Sequence, residues 1–301
     1  MNGACERLVL GTAQFGLDYG ISNAQGRVSE ADAAIVLNRG VELGVRWVDT
    51  AAEYGGAESA LRAPLSRHCE LQVISKLAPL SSLRPLGGDV IAAVHAGIRQ
   101  SVARLGRQPI DVLLVHRAAD LWSSDADAIA EALDGARELG LVRRIGFSAY
   151  DREEIDRAVQ AFRPEVVQVP ASVYDQTLTQ GPIQELAAEG VEVHARSVYL
   201  QGLILLEPDR LSGMFRPLAA HQDRFHSNCR AAGMTPQQAC VAFALQVPGI
   251  ARIVVGTTTA SEVEQACGAA EGGAGSVDWM SFGINDTRIR DPRRWPDRAR
   301  L

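Results

Sequence analysis

Residues 45–77, VRWVDTAAEYGGAESALRAPLSRHCELQVISKL, decide the fold class. They open on a short Val-rich run, VRWVDT (45–50), and close on another, LQVISKL (71–77), each bounded by Gly or polar residues as strands are. Between the two, 57–67 carries helical patterning. Strand, helix, strand is the repeating unit of a parallel sheet. The same alternation continues in both directions. Further runs are RLVLGTA (7–13), IDVLLVH (110–116), VRRIGFSA (142–149), EVVQVP (165–170), VEVHARS (191–197) and ARIVVGT (251–257). Helices are predicted at 30–44, 90–106, 125–140, 151–162, 178–189, 234–246 and 260–271. Ser29 caps the first, with Glu30 and Asp32 at its positive end. Thr235 and Pro236 supply a cap and a first helical residue for the one near 240. Eight strands alternating with helices predict a (β/α)8 barrel, an α/β fold built as one domain of roughly 250 residues or more. An open doubly wound sheet would carry G-x-G-x-x-G after its first strand, and GTAQFGLDYG lacks that spacing.

The barrel is expected to take in the whole of 1–301, with 272–301 as a tail packed on it and anchored by Trp279 and Trp295. The least regular stretches are 78–89, 198–230 and 272–301. The loop after the seventh strand is the longest, and loops at that end of a barrel build its site. The formal charge of −6 and the absence of a basic stripe argue against nucleic acid as a partner. Six arginines between 288 and 300 alternate with Asp286, Asp291 and Asp297, which reads as a solvated tail. Five cysteines without a CxxC spacing predict neither disulfides nor a zinc site and fit a reducing compartment. The N-terminus enters a strand at once, so no signal peptide is expected, and no apolar run reaches the ~18 residues of a membrane span. A cytoplasmic protein with no membrane and no nucleic acid among its partners is the expectation.

Ionisable and polar residues gather where the strands end. Asp49 closes WVDT, Lys76 closes VISK and His116 closes LLVH; Ser148, Gln168 and Arg196 end strands five, six and seven. Parallel strands bring those ends to one face. Buried Asp and Lys are costly alone, so Asp49 and Lys76 are expected to pair. Tyr54 follows in the loop DTAAEYGGAE. As a proton donor near neutrality a phenol benefits from a nearby cation, which Lys76 would supply. His116 would orient a substrate oxygen. These parts suit carbonyl reduction and call for no metal.

In VDTAAEYGGAE, VISK, LLVH, GFSAY, VVQVP, ARSVYLQGL and VVGTTTASEVEQ the chain resembles the aldo-keto reductase family. The resemblance implies Tyr54 as general acid, with Asp49, Lys76 and His116 completing the catalytic set. It implies a nicotinamide cofactor, NADPH by the habit of the family, with NADH as the other choice. Ser148 and Gln168 match residues that bind the carboxamide, while Arg196 stands where an aromatic often stacks on the ring. Leu200, Gly202 and Leu203 resemble a loop near the pyrophosphate. Gly256, Thr257 and Thr258 resemble the adenosine-phosphate end, where the start of helix 260–271 would receive phosphate. That segment carries acids and no base. Glu262 opposes a phosphate and would instead accept bonds from a free ribose hydroxyl.

Phe15, Tyr19, Trp122, Tyr150, Tyr174 and Tyr199 follow strand ends and are candidates to wall a substrate pocket. Gln14, Asp18 and Arg117 near the mouth suit a sugar-like, polyhydroxylated carbonyl. His194 reads as a satisfied core histidine, and His68, His95, His221 and His226 as surface or loop residues. Two other functions fit parts of the pattern. A Schiff-base aldolase would use Lys76 as nucleophile and leave Tyr54 unexplained. A non-catalytic nucleotide-binding regulator would not need all four residues of the catalytic set.

Overall fold

The computed structural model describes residues 5–23, 25–84, 88–272 and 277–296. Its eight strands close into one parallel barrel in sequence order: β1 Leu8–Gly11, β2 Trp47–Asp49, β3 Gln72–Leu77, β4 Ile110–Val115, β5 Val142–Ser148, β6 Val166–Pro170, β7 Glu192–Arg196 and β8 Ile250–Gly256. Helices lie between the strands, among them Glu30–Glu42, Ala57–Arg67, Val90–Leu105, Ala126–Glu138, Pro236–Gln246 and Ala260–Gly272. Their starts follow from local chemistry. Ser29 Oγ accepts the Asp32 amide, and Asp89 accepts those of Ile91 and Ala92. Thr235 and Gln238 form a reciprocal capping box with Pro236 at the first helical position.

Two apolar clusters hold the layers together. The larger lies between strands and helices, with Leu8, Leu37, Leu61, Ile98, Leu133 and Phe147 among its buried members. A smaller one fills the barrel axis: Val9, Trp47, Ile74, Val112, Leu114, Val166 and Val254. Truncating one such side chain to Ala costs about 2–5 kcal/mol where the space cannot collapse. At the N-terminal ends of the strands Trp47 is covered by two guanidinium groups, Arg252 at 4.2 Å and Arg144 at 5.6 Å. Glu192 accepts from Arg144 at 2.7 Å and Arg252 at 2.8 Å, and lies 2.7 Å from His194 Nε2. Burial raises the Glu192 carboxyl, but His194 and Arg144 outweigh it and hold the group well below the usual carboxylate range. His194 is fully buried on this face, away from the strand ends that carry the chemistry.

The region 198–230 is more regular than its sequence suggests. It contains 3-10 turns at Leu200–Leu205, Pro208–Arg210 and Gly213–Leu218, then a helix, Ala219–Ala231. That helix buries Gln222, Phe225, His226 and Cys229. Half of the stripe is polar: Gln222 donates to the carbonyls of Leu203 and Leu206, and His226 Nε2 meets that of Ile204 at 2.9 Å. Apolar periodicity could not reveal it, and His226 is a core residue, not a surface one.

Residues 277–296 pack against the same region. Trp295 donates to the Ile289 carbonyl and packs edge-on to Phe215, and Ile284 N–H bonds the carbonyl of Tyr174. Residues 273–276 and 297–301 of the tail, with Asp297, Arg298 and Arg300, lie outside the described residues. Among the described residues no helix is long and apolar enough to cross a membrane, and no cluster of His, Cys, Asp and Glu could hold a metal.

Candidate active site

The C-terminal ends of the strands surround a cavity of about 330 Å3, within the size range of small-molecule sites. Asp49, Tyr54, Lys76 and His116 all line it. Lys76 Nζ donates to Asp49 Oδ1 at 2.5 Å and to the carbonyl of Thr50 at 3.1 Å. Both side chains are almost wholly buried, 1% and 4% exposed. Asp49 Oδ2 accepts from Gln168 Nε2 at 2.8 Å, so each carboxylate oxygen has its own donor. Lys76 Nζ stands 5.1 Å from the Tyr54 ring, and the His116 ring lies edge-on to that ring at 5.8 Å.

Tyr54 reaches this position because two backbones nearly touch. Its turn is closed by Tyr54 N–H to Ala51 and by Ala57 N–H to Tyr54, both at 3.0 Å. Gly16, ending the short helix Ala13–Gly16, rests on this turn so closely that a Cβ there would lie 1.8 Å from the Tyr54 carbonyl oxygen. The Gly16→Ala enzyme should therefore fold with a shifted Tyr54 and lose roughly a hundredfold in kcat, the scale of an ångström of misplacement. Steady-state kinetics alongside circular dichroism would check this; unchanged kcat would show that the turn yields without consequence.

Burial pushes the Tyr54 phenol far above its usual value, Asp49 adds to this, and Arg196 opposes it. Lys76 does not offset the burial, because Asp49 cancels much of its charge at 2.5 Å. Tyr54 is thus held as an intact O–H, the form that donates a proton. Burial, with Lys76 and Arg196 nearby, depresses His116, while Glu53 works the other way. A neutral imidazole follows at neutral pH, able to donate one hydrogen bond. Glu53 was not singled out by the sequence reading. Its carboxylate lies 3.0 Å from His116 Nδ1 and 3.2 Å from Arg117. Its signal was an acid beside Tyr54 in DTAAEY, in a loop where such a charge needs a partner.

Of the other expected residues, Ser148, Gln168, Arg196, Gly202, Gly256, Thr258 and Glu262 line the cavity, as do Tyr19, Tyr150 and Tyr199. The register sets Ser148 beside Gln168. Arg196 donates to Ser148 Oγ and to the Ala149 carbonyl and stacks at 4.0 Å on Tyr150, which Arg293 of the C-terminal segment also stacks on, at 3.8 Å. Leu200, Leu203 and Thr257 do not line it: all three are buried beneath the loops. Ser197, Leu200, Gln201 and Gly202 have positive φ, a sequence of turns that sends the two leucine side chains into the core. Gly202 is required there, since a Cβ would lie 1.9 Å from Ser22 Oγ. Gln201 lines the cavity instead and bonds Ile21 through its carbonyl. Phe15 and Tyr174 belong to the core, and Trp122 packs under Arg157, so none of the three walls the pocket. Gln14 lines the cavity; Asp18 and Arg117 do not.

The sequence model of the Aldo/keto reductase family matches residues 7–272. An aldo-keto reductase of Mycolicibacterium vanbaalenii is 29% identical over 231 residues, 75% of this chain and 74% of that protein. A D-threo-aldose 1-dehydrogenase of a Pseudomonas species is 27% identical over 287 residues, 83% and 87% of the two chains. Among solved structures, the holo form of a Bacillus halodurans aldo-keto reductase superposes with a TM-score of 0.74 at 18% identity, over 92% of this chain and 90% of that one. A Pseudomonas aeruginosa structure gives 0.64 at 21%, over 88% and 90%. These two likenesses concern the fold.

Proposed function

The chain belongs to the aldo/keto reductase family, and from that premise we propose that it reduces an aldehyde or ketone to the alcohol with a nicotinamide dinucleotide as reductant. The observation that carries this reading is the convergence of a protonated Tyr54, the Asp49–Lys76 pair and a neutral His116 on one cavity. The residues present fit a nicotinamide. Gln168 must present Nε2 to Asp49, since a carboxylate only accepts, and this leaves its Oε1 buried with no partner. That oxygen suits a carboxamide N–H, and Ser148 Oγ beside it suits the carboxamide oxygen. When bound, the reduced ring would supply hydride to the carbonyl carbon.

The chain's own residues do the rest. His116, whose one N–H faces the Glu53 carboxylate, packs edge-on against the Tyr54 ring, and the Tyr54 O–H donates to the carbonyl oxygen and gives up its proton as that oxygen gains charge. Arg196, whose charge opposes the upward push on the phenol, offsets part of the resulting phenolate charge, while Lys76 stands 5.1 Å from the ring with its ammonium held by Asp49 and the Thr50 carbonyl. A Schiff-base role for Lys76 has those two bonds against it. A sugar-like substrate is the finer reading, supported by Gln14 in the lining and by the name of the Pseudomonas relative.

Titration with NADH and NADPH, followed by a panel of aldoses and simple aldehydes at the nicotinamide absorbance, tests the reading. Nucleotide binding with carbonyl-dependent oxidation is expected. Trapping of substrate on Lys76 by borohydride, without nucleotide oxidation, would replace it with the aldolase.

A further inference from the structure

The cavity differs in charge from one end to the other. The two cations that line it, among the described residues, are Lys76 and Arg196, both at strand ends around the barrel mouth. Where it runs outward past β8, the lining is Gly256, Thr258 and Glu262, with a carboxylate and no Lys or Arg. Glu262 also takes three donors just before helix Ala260–Gly272. Its Oε2 accepts from Thr258 N–H at 2.6 Å, Thr258 Oγ1 at 3.0 Å and Thr259 N–H at 3.3 Å. Thr259 Oγ1 accepts the Glu262 amide in return, completing a capping box. An anion arriving here would find the Thr258, Thr259 and Glu262 amides taken and a like charge in their midst. Oε1 of the same carboxylate has no hydrogen bond to a described residue and remains an acceptor for hydroxyls.

We infer that Glu262 makes this end of the pocket select a dinucleotide whose adenosine ribose carries free hydroxyls, NAD(H), over the 2′-phosphorylated NADP(H). The inference rests on the reading above that the pocket holds such a dinucleotide. With the reacting ring at Tyr54 and the carboxamide at Gln168, the outward end is left for the adenosine half. A ribose diol donates to Oε1, whereas a 2′-phosphate meets a carboxylate. A competing reader is Arg27, exposed in a neighbouring groove that touches Thr258 and also contains Asp32.

The test is a fluorescence titration of the whole protein with NADH and with NADPH, repeated for Glu262→Gln and Arg27→Ala. Glutamine keeps an acceptor for the Thr258 and Thr259 amides while removing the charge, and a ratio of affinities within one variant cancels general damage to the fold. Expected is NADH binding at least about tenfold more tightly than NADPH, with Glu262→Gln bringing the ratio close to one through tighter NADPH binding. NADPH binding as tightly as NADH in the unmodified protein would overturn the inference, as would a ratio moved by Arg27→Ala and not by Glu262→Gln. Binding of neither nucleotide would instead overturn the proposed function, and this inference with it.

Discussion

Replacing Tyr54 by Phe should cut carbonyl reduction by about 10²–10⁴-fold, the usual contribution of a positioned general acid, while nucleotide affinity stays within about twofold. The change removes one oxygen and keeps the ring, so the edge-on contact with His116 at 5.8 Å and the approach of Lys76 at 5.1 Å should persist. What disappears is the O–H that burial and Asp49 hold protonated. His116, the imidazole beside Tyr54, is depressed by burial and cannot supply a second proton source at neutral pH. Rate and affinity should therefore separate. Single-turnover kinetics under saturating nucleotide would measure the first and fluorescence titration the second. A rate within tenfold of the unmodified enzyme would remove Tyr54 from the role of acid.

The second large effect is on stability. Asp49→Ala would leave the Lys76 ammonium in a site where it is 1% exposed, with the Thr50 carbonyl as its one described acceptor. It would also strip Gln168 Nε2 of its partner. Breaking a buried pair from one side typically costs about 3–5 kcal/mol, most of it the desolvated charge left behind. Equilibrium unfolding in urea should show this loss for Asp49→Ala. Removing both charges, in Asp49→Leu with Lys76→Met, should recover much of it, because apolar groups of similar volume need no partner. Activity should be lost in both. If the single variant were as stable as the double, the pair would contribute charge placement and no stability.

The barrel was legible because a parallel strand buried on both faces is a short unbroken apolar run, and this chain punctuates each run with a polar residue at its chemical end. Asp49, Lys76, His116, Ser148, Gln168 and Arg196 could be placed by position alone, since each lies within two residues of a strand's C-terminal end. Side-chain direction was harder to read. Phe15, Trp122, Leu200 and Leu203 sit on the loops that build the pocket, yet they turn into the core or onto the outer layer. Strings of residues do not carry the positive φ values at 197–202 that cause this for the leucines. Glu53 was hidden for another reason: its partners, His116 and Arg117, lie more than sixty positions away. Glu262 was legible as an acid where a base is often useful. That it closes its own helix start is visible only in three dimensions.

The plug of Val9, Trp47, Ile74, Val112, Leu114, Val166 and Val254 along the barrel axis, covered below by Trp47 and its two arginines, bars passage through the barrel, so traffic to the chamber runs through the doorway at the C-terminal ends of the strands. Arrivals and departures must queue at it. A spent molecule blocks the one waiting, so the pace of the enzyme can be set by how readily its exit clears, and the loops 19–23 and 197–202 that meet across Ile21 and Gln201 stand at that threshold.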